Sequence, residues 1–484
     1  MNNSVKSQIG RGVFYTAIAK YTGIIVSLCV TAVLSRLLTP SDFGIIAIAT
    51  VIISFFNIFC DLGFAPAIIQ RKDLDKADLN SIFSLTIYVG LFIAIVFFFC
   101  AKPISTYYDN ATLFLICKWL SINLLFATFN IVPNALLLKA KRFKFIALRT
   151  FIVQLFLGII SIITAFNGMG VYSLLINPIG TSVILFVVNY QQNLLCFSSR
   201  LGLKSIRKIL SFSTYQFLFN LINYFSRNLD NLLIGRYIGL EGLGYYEKSY
   251  RLMMLPLSNI TNIITPVVHP VLSDYQNQKD KLLMYYVNIL KLLAFVGFPL
   301  SVILYFSATE LVYVVFGNQW TASIPVFKIL SLSVWIQILT STLGSIFQSS
   351  NSTKYLFQVG LINTFINVTG IILAIWIYSS MEAVAIGIVI TFFFNMVISF
   401  WFLLHYVFKK TLWVVLQQMI YPFMLALLLI CVFWRISPQM ENISNLYSLL
   451  IKGSLGVLIS ILFVQLTGQY NILKVFSYFK YKIK

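Results

Sequence analysis

Stretches of about 20 predominantly apolar residues, the length that spans a bilayer as a helix, recur roughly fourteen times along this chain between short polar breaks. They fall at approximately 12–37, 43–67, 80–101, 112–137, 146–167, 170–191, 211–235, 243–272, 284–308, 322–348, 354–378, 382–406, 412–434 and 446–468. In hydrocarbon, backbone N–H and C=O groups are satisfied only within helices or a closed β-barrel. A barrel strand reads as about ten residues of alternating polarity, which continuous runs such as "VGLFIAIVFFFC" exclude. With 59% hydrophobic and 10% charged residues among 484, the chain is also far from the composition of a soluble domain. The fold class expected is an all-α integral membrane protein of about 14 transmembrane helices. The opening "MNNSVKSQIGRG" leads into a first run too long for a signal peptide, ending in "LSRLLTP" without a small-residue cleavage site, so a retained helix is expected.

The formal net charge of +21 invites a nucleic-acid reading, but the positions of the cations point elsewhere. Lys6 and Arg11, then Arg71, Lys72 and Lys76, then Lys139, Lys141, Arg142, Lys144 and Arg149 stand in every second connection. Arg200, Lys204, Arg207 and Lys208, then Lys279 and Lys281, Lys354, Lys409 and Lys410, and the tail "LKVFSYFKYKIK" continue the pattern. The alternate connections hold only Arg36, Lys102, Arg236 and Arg435. This asymmetry is the positive-inside rule, and it places both termini in the cytoplasm. Attraction to anionic headgroups accounts for the excess charge, and no nucleic-acid partner is expected.

The six cysteines are scattered, nearly all inside apolar runs, with no CxxC pair, and read as buried thiols. His269 and His405 stand too far apart to suggest a metal site, and no metal or cofactor is expected.

Compared with itself, the chain shows a repeat. "LSRLLTPSDFGIIAIA" (34–49) aligns without gaps on "IGRYIGLEGLGYYEKS" (234–249), pairing Arg36 with Arg236 and Gly44 with Gly244; Pro66 pairs with Pro266 at the same offset. Lys20, Gly23, Ser27 and Thr31 fall opposite Asn220, Asn223, Arg227 and Asn231, a spacing that keeps each set on one helical face. Six runs separate the repeats, so both halves share one orientation, related by an axis along the membrane normal. The domains expected are an N-lobe (1–195, runs one to six), a C-lobe (196–410, runs seven to twelve) and a segment 411–484 with runs thirteen and fourteen and a basic tail. Two six-helix lobes meeting at a cleft suit alternating access.

A charge at mid-membrane costs about 2.5–3.5 kcal/mol on insertion scales, so such groups face the bundle interior or water. Polar stripes occur in the first run (Lys20, Ser27, Thr31), the second (Thr50, Ser54, Asn57, Asp61), the fourth (Asn123, Asn130, Asn134) and the seventh (Asn220, Asn223, Arg227, Asp230, Asn231). Glu247, Lys248 and Arg251 follow in the eighth, Asn288 and Lys291 in the ninth, and Asn363 and Asn367 in the eleventh. Together the stripes suit a common wet cavity; singly, each group is as well explained by pairing with a neighbour, such as Arg227 with Asp230, Glu247 with Arg251, or Lys20 with Asp61. Cations outnumber anions in the set, which favours an anionic cargo. Lys20, Arg227, Arg251, Lys291, Asn220 and Asn223 are the expected cavity residues; Asp61, Asp230 and Glu247 are expected either to bind a coupling cation (H+ or Na+) or to hold the cations in place.

In "LSRLLTPSDFGIIAIA" (34–49), "DLGFAPAIIQRKD" (61–73), "SRNLDNLLIGRYIGLEGLGYYEKSYRLMMLP" (226–256) and "FGNQWTASIPVFKILSL" (316–332) the chain resembles the polysaccharide-transport branch of the multidrug, oligosaccharidyl-lipid and polysaccharide (MOP) exporter superfamily, the Wzx-like O-antigen and capsule flippases. The resemblance implies two six-helix lobes forming a V, with runs thirteen and fourteen beside a lateral opening. It implies a cargo of undecaprenyl-pyrophosphate-linked oligosaccharide, moved from the cytoplasmic to the periplasmic leaflet of a bacterial inner membrane. The family's basic cavity residues would correspond to Lys20, Arg227, Arg251 and Lys291, matching as charges in the expected helices; Asp61 and Asp230 depart from a uniformly basic lumen. Partners expected are the lipid-linked oligosaccharide, membrane lipids, and a glycan polymerase with export machinery, the chain itself being a monomer.

The rival readings are a drug/cation antiporter of the same superfamily, disfavoured by the basic excess, and a lipid II flippase, which the sequence separates poorly. A polyprenyl-dependent glycosyltransferase or polymerase needs a catalytic constellation on a sizeable soluble loop. No connection here exceeds about twenty residues, and Asp73, Asp75 and Asp78 sit in an ordinary cytoplasmic loop, so no enzyme is expected.

Overall fold

The computed structural model describes residues 21–61, 64–70, 74–197, 221, 224–225, 227–273, 275–276, 278–440 and 442–470, and among these every regular element is helical. Among the described residues ten helices are long and apolar enough to cross a membrane, or eleven if one bent pair counts as a single span. This departs from the fourteen spans expected, for reasons specific to four runs. The first is described only as α1, Tyr21–Leu37, too short to pass as a full span. Most of the seventh lies outside the described residues, and its end is α9 (residues 227–237). The eighth is α10, Leu240–Ser273, whose 34 residues carry Glu247, Lys248 and Arg251 among few strongly apolar neighbours. The tenth is broken: Ser323–Ser331 and Val334–Ser349 meet at 43°.

Contact density divides the chain into two compact units, Met1–Gly244 and Tyr245–Lys484. In the first unit α2 (Pro40–Asp61) is followed by the short α3 (Phe64–Gln70) and the long α4 (Lys76–Tyr107). Then come α5 (Ala111–Phe129), α6 (Ile131–Lys139), α7 (Phe143–Phe166) and α8 (Ser173–Asn193). α4 pairs with α5, α5 and α7 both pack on α8, and α3 lies on α6. Phe64, Ile68, Ile82, Phe83, Val132, Ala135 and Leu195 form one buried apolar cluster where α3, α4 and α6 converge.

Short polar connections start these helices. Asp75 accepts from the Asp78 amide at 2.6 Å while Asp78 reaches back to the Asp75 amide, a reciprocal cap that opens α4. Asn110 accepts from the Leu113 amide at 3.2 Å at the start of α5.

The second unit is built around α11 (Lys279–Phe306), the most buried of the ten spans. Around it lie α12 (Ala308–Val315), α13 (Ser323–Ser331), α14 (Val334–Thr340), α15 (Leu343–Ser349), the α16–α17 pair (Thr353–Tyr378 and Met381–Phe402), α18 (Trp413–Ile436) and α19 (Asn445–Leu466). α18 packs on α11, and α19 on α11 and α12, within this unit. Large apolar side chains such as Phe99, Trp376 and Leu466 are exposed, as befits a surface solvated by acyl chains.

Candidate functional site

The α1–α2 connection is "LTPSDFG", with Pro40 at the first helical position. The Asp42 carboxylate accepts from the Thr39 amide at 2.9 Å and from the Thr39 hydroxyl at 2.8 Å, closing the N-terminus of α2. Its repeat counterpart, the α9–α10 connection, turns through Gly239 at φ +102°, a left-handed conformation that glycine adopts without strain. The two helix starts cross at glycine. A β-carbon on Gly44 would collide with the Leu240 carbonyl and lie 3.2 Å from the Gly244 nitrogen; one on Gly244 would collide with the Pro40 carbonyl and lie 3.3 Å from the Gly44 nitrogen. Each glycine therefore meets the other glycine and the carbonyl four residues before it, so the contact is reciprocal. Only residues without a side chain let two backbones approach this closely in an apolar medium.

Further contacts within the first unit join Tyr224 and α9 to α2 and the end of α4. The Tyr224 hydroxyl donates to the Val51 carbonyl at 2.9 Å and the Tyr108 hydroxyl to the Leu232 carbonyl at 3.3 Å. The Arg236 guanidinium lies 5.0 Å from the Tyr107 ring centre.

Of the expected cavity residues, Lys20, Asn220 and Asn223 lie outside the described residues, as does the side chain of Asp61 at the end of α2. Arg227 and Asp230 belong to the first unit. Arg227 is exposed and forms no ion pair among the described residues, whereas Asp230 is buried, one oxygen accepting from the Asn231 amide at 2.8 Å. Glu247, Arg251 and Lys291 belong to the second unit and are all half-buried. The Lys291 ammonium lies 5.6 Å from the Tyr470 ring centre. Lys248, counted among the cavity cations, is instead fully buried, 5.0 Å from the Phe316 ring and 5.3 Å from the Trp320 ring, on either side of the tight turn at Gly317.

Two of the expected cavity stripes are engaged between helices. Asn123 donates to the Pro178 carbonyl at 2.7 Å, Asn130 accepts from Asn189 at 2.7 Å, and Asn134 accepts from Arg149 at 2.7 Å, joining the α5–α6 run to α7 and α8. In the second unit Asn363 donates to the Ser399 hydroxyl at 3.2 Å and Asn367 accepts from Asn395 at 2.8 Å, joining α16 to α17. These amides act as interhelical glue in an apolar medium. A further polar group is absent from the sequence expectations: the Lys452 ammonium on α19 is paired with the Glu310 carboxylate on α12, and both are buried. Ser448 donates to the same carboxylate at 2.8 Å, and Lys452 also donates to the Phe306 carbonyl at 2.8 Å. A partner search for every lone intramembrane charge would have flagged both residues.

Residues 33–325, more than half of the chain, match the family model described as "Polysaccharide biosynthesis protein". The chain is 26% identical over 445 residues to an "Uncharacterized membrane protein in cps region" of Klebsiella pneumoniae, covering 88% of this chain and 90% of the relative. It is 24% identical over 460 residues to the "Teichuronic acid biosynthesis protein TuaB" of Bacillus subtilis, covering 91% of each. It is also 24% identical over 409 residues to the "Lipopolysaccharide biosynthesis protein WzxC" of Escherichia coli, covering 82% of this chain and 80% of that one. Among solved structures, the inward closed conformation of lipid II flippase MurJ superposes with a TM-score of 0.73 at 16% identity, over 94% of this chain and 98% of that one, a likeness of fold. The chain thus belongs to the polysaccharide biosynthesis protein family, as a multi-pass helical membrane protein similar to TuaB and WzxC.

Proposed function

We propose that this protein is a flippase that carries an undecaprenyl-pyrophosphate-linked oligosaccharide from the cytoplasmic to the periplasmic leaflet by alternating access, in the assembly of a cell-surface polysaccharide. The observation that carries this reading is the family match together with the repeat offset: Gly44 and Gly244, equivalent in the two repeats, face each other in a reciprocal contact. Such a pair is what two like-oriented six-helix lobes with two appended helices would produce around a local two-fold axis. Diphosphate and sugar hydroxyls crossing bare hydrocarbon meet a prohibitive barrier, which a wet basic path between the lobes removes while the polyprenyl tail stays in lipid.

In this reading Lys20, Arg227, Arg251 and Lys291 line the path with Asn220 and Asn223. Asp61, Asp230 and Glu247 either take a coupling cation (H+ or Na+) or position the cations. The exposed guanidinium of Arg227, which forms no ion pair among the described residues, supports a role toward cargo, and the burial of Asp230 supports a positioning role. Complementation of a deletion strain tests the assignment. Lys20→Ala and Arg227→Ala are expected to abolish glycan export while reaching the membrane at normal level; normal export by both would end it.

A further inference from the structure

Among the described residues three cations, Arg149, Lys248 and Lys452, are buried in helices, and their surroundings differ in kind. Lys452 has a carboxylate, Glu310, and Lys248 has the rings of Phe316 and Trp320. Arg149, on α7, is 7% exposed, and its one hydrogen bond among the described residues runs from Nη2 to the neutral amide oxygen of Asn134 at 2.7 Å. Its Nε and Nη1 are buried with no hydrogen-bond partner, and no carboxylate forms an ion pair with it among the described residues. The Phe145 ring centre, 5.8 Å from the guanidinium, is the other group that faces the charge.

Arg149 stands six residues inside α7, about 9 Å of rise from its start, within the apolar span. A buried cation facing only an amide dipole and a ring is costly, and natural helices keep such groups where an anion or water meets them. The surroundings fix its direction. Asn130, at the break between α5 and α6, caps neither helix with its side chain because it accepts from Asn189, and Asn193 donates to the Pro133 carbonyl at 3.2 Å. These bonds hold α6 so that Asn134 grips one end of the guanidinium. The side-chain amide oxygen of Asn189 is buried and has no hydrogen-bond partner among the described residues, so this polar cluster has donors and an acceptor to spare. A planar guanidinium presents paired N–H groups that match two oxygens of a phosphate, which an ammonium cannot do.

We infer that Arg149 is a phosphate-contact residue, taking oxygens of a lipid-borne diphosphate where α6, α7 and α8 meet. This rests on the flippase reading, and in the orientation given by the charge distribution the site lies toward the cytoplasmic leaflet from which cargo is drawn. Both unpartnered nitrogens are buried in this conformation, so binding requires the helices around them to part.

The test uses the full chain in nanodiscs of zwitterionic lipid, with farnesyl diphosphate, inorganic diphosphate and phosphatidylglycerol vesicles as probes, and reads affinity beside the thermal midpoint. Wild type is expected to bind farnesyl diphosphate most tightly; Arg149→Gln weakens it by about tenfold or more without lowering the midpoint, and Arg149→Lys, which keeps the charge and loses the fork, falls between. Equal affinity in Arg149→Gln, or a lowered midpoint with affinity unchanged, overturns the inference and makes Arg149 a structural clamp on Asn134. Tighter binding of phosphatidylglycerol with the same dependence on Arg149 overturns the cargo assignment in favour of a membrane lipid. If Arg149→Gln does not accumulate, Arg149→Lys with wild-type affinity overturns it, and reduced affinity at an unchanged midpoint supports it. Wild-type protein that binds none of the probes also overturns it, whereas the flippase reading stands or falls separately on where lipid-linked glycan accumulates in the cell.

Discussion

Gly44 and Gly244 meet backbone to backbone, each against the carbonyl four residues before the other, Leu240 and Pro40. Both pairs stand at the offset at which the chain aligns with itself in sequence. Alanine at either position forces the helix starts apart, because the obstructing atoms are backbone and cannot swing away. Gly44→Ala and Gly244→Ala are each expected to lower the thermal midpoint of the purified protein, corresponding to roughly 1–3 kcal/mol. Gly453→Ala, where a β-carbon meets nothing within 4 Å, should leave it unchanged or slightly raised.

The Glu310–Lys452 pair gives a second prediction. Removing one partner strands a buried charge, so Glu310→Gln and Lys452→Met should each destabilise by about 3–5 kcal/mol. The double variant should recover most of that loss, and a double-mutant cycle by unfolding in micelles measures the coupling. Additive losses would show that the pair does not act as a unit in anchoring α19.

The bonded asparagines give a third. Asn395→Leu and Asn123→Leu each delete one interhelical hydrogen bond, at a cost of about 1 kcal/mol, and should leave glycan export intact. Export lost at normal protein level would return these amides to the cargo path.

The spans were legible in the sequence because run length and hydropathy are the physics of crossing a bilayer, and α4, α7, α11 and α17 overlap the expected runs with ends shifted by a few residues. Less legible was the tenth run, where apolar content continues through the 43° break between α13 and α14. The polar stripes show the deeper limit. Periodicity places Asn130 and Asn134, or Asn363 and Asn367, on one helical face, but both a water-filled cavity and a neighbouring helix demand such a face. Only the positions of Asn189, Arg149, Ser399 and Asn395 decide for the neighbour. Lys248 misled for a related reason: its spacing fits a lumen stripe, while the rings that enclose it come from "FGNQW", some seventy residues later. The Glu310–Lys452 pair is not legible in the sequence because Glu310 stands in the connection after the ninth run, Lys452 stands alone in the fourteenth, and the pair joins distant parts of the chain.

Where the lipid-linked glycan resides is the measurement that bears most directly on the proposed transport. In cells depleted of this protein, the undecaprenyl-pyrophosphate-linked repeat unit is expected to accumulate in the cytoplasmic leaflet, protected from a membrane-impermeant probe added to spheroplasts, and to become accessible when wild type is restored but not with Arg227→Ala. Equal accessibility with and without the protein would contradict the account.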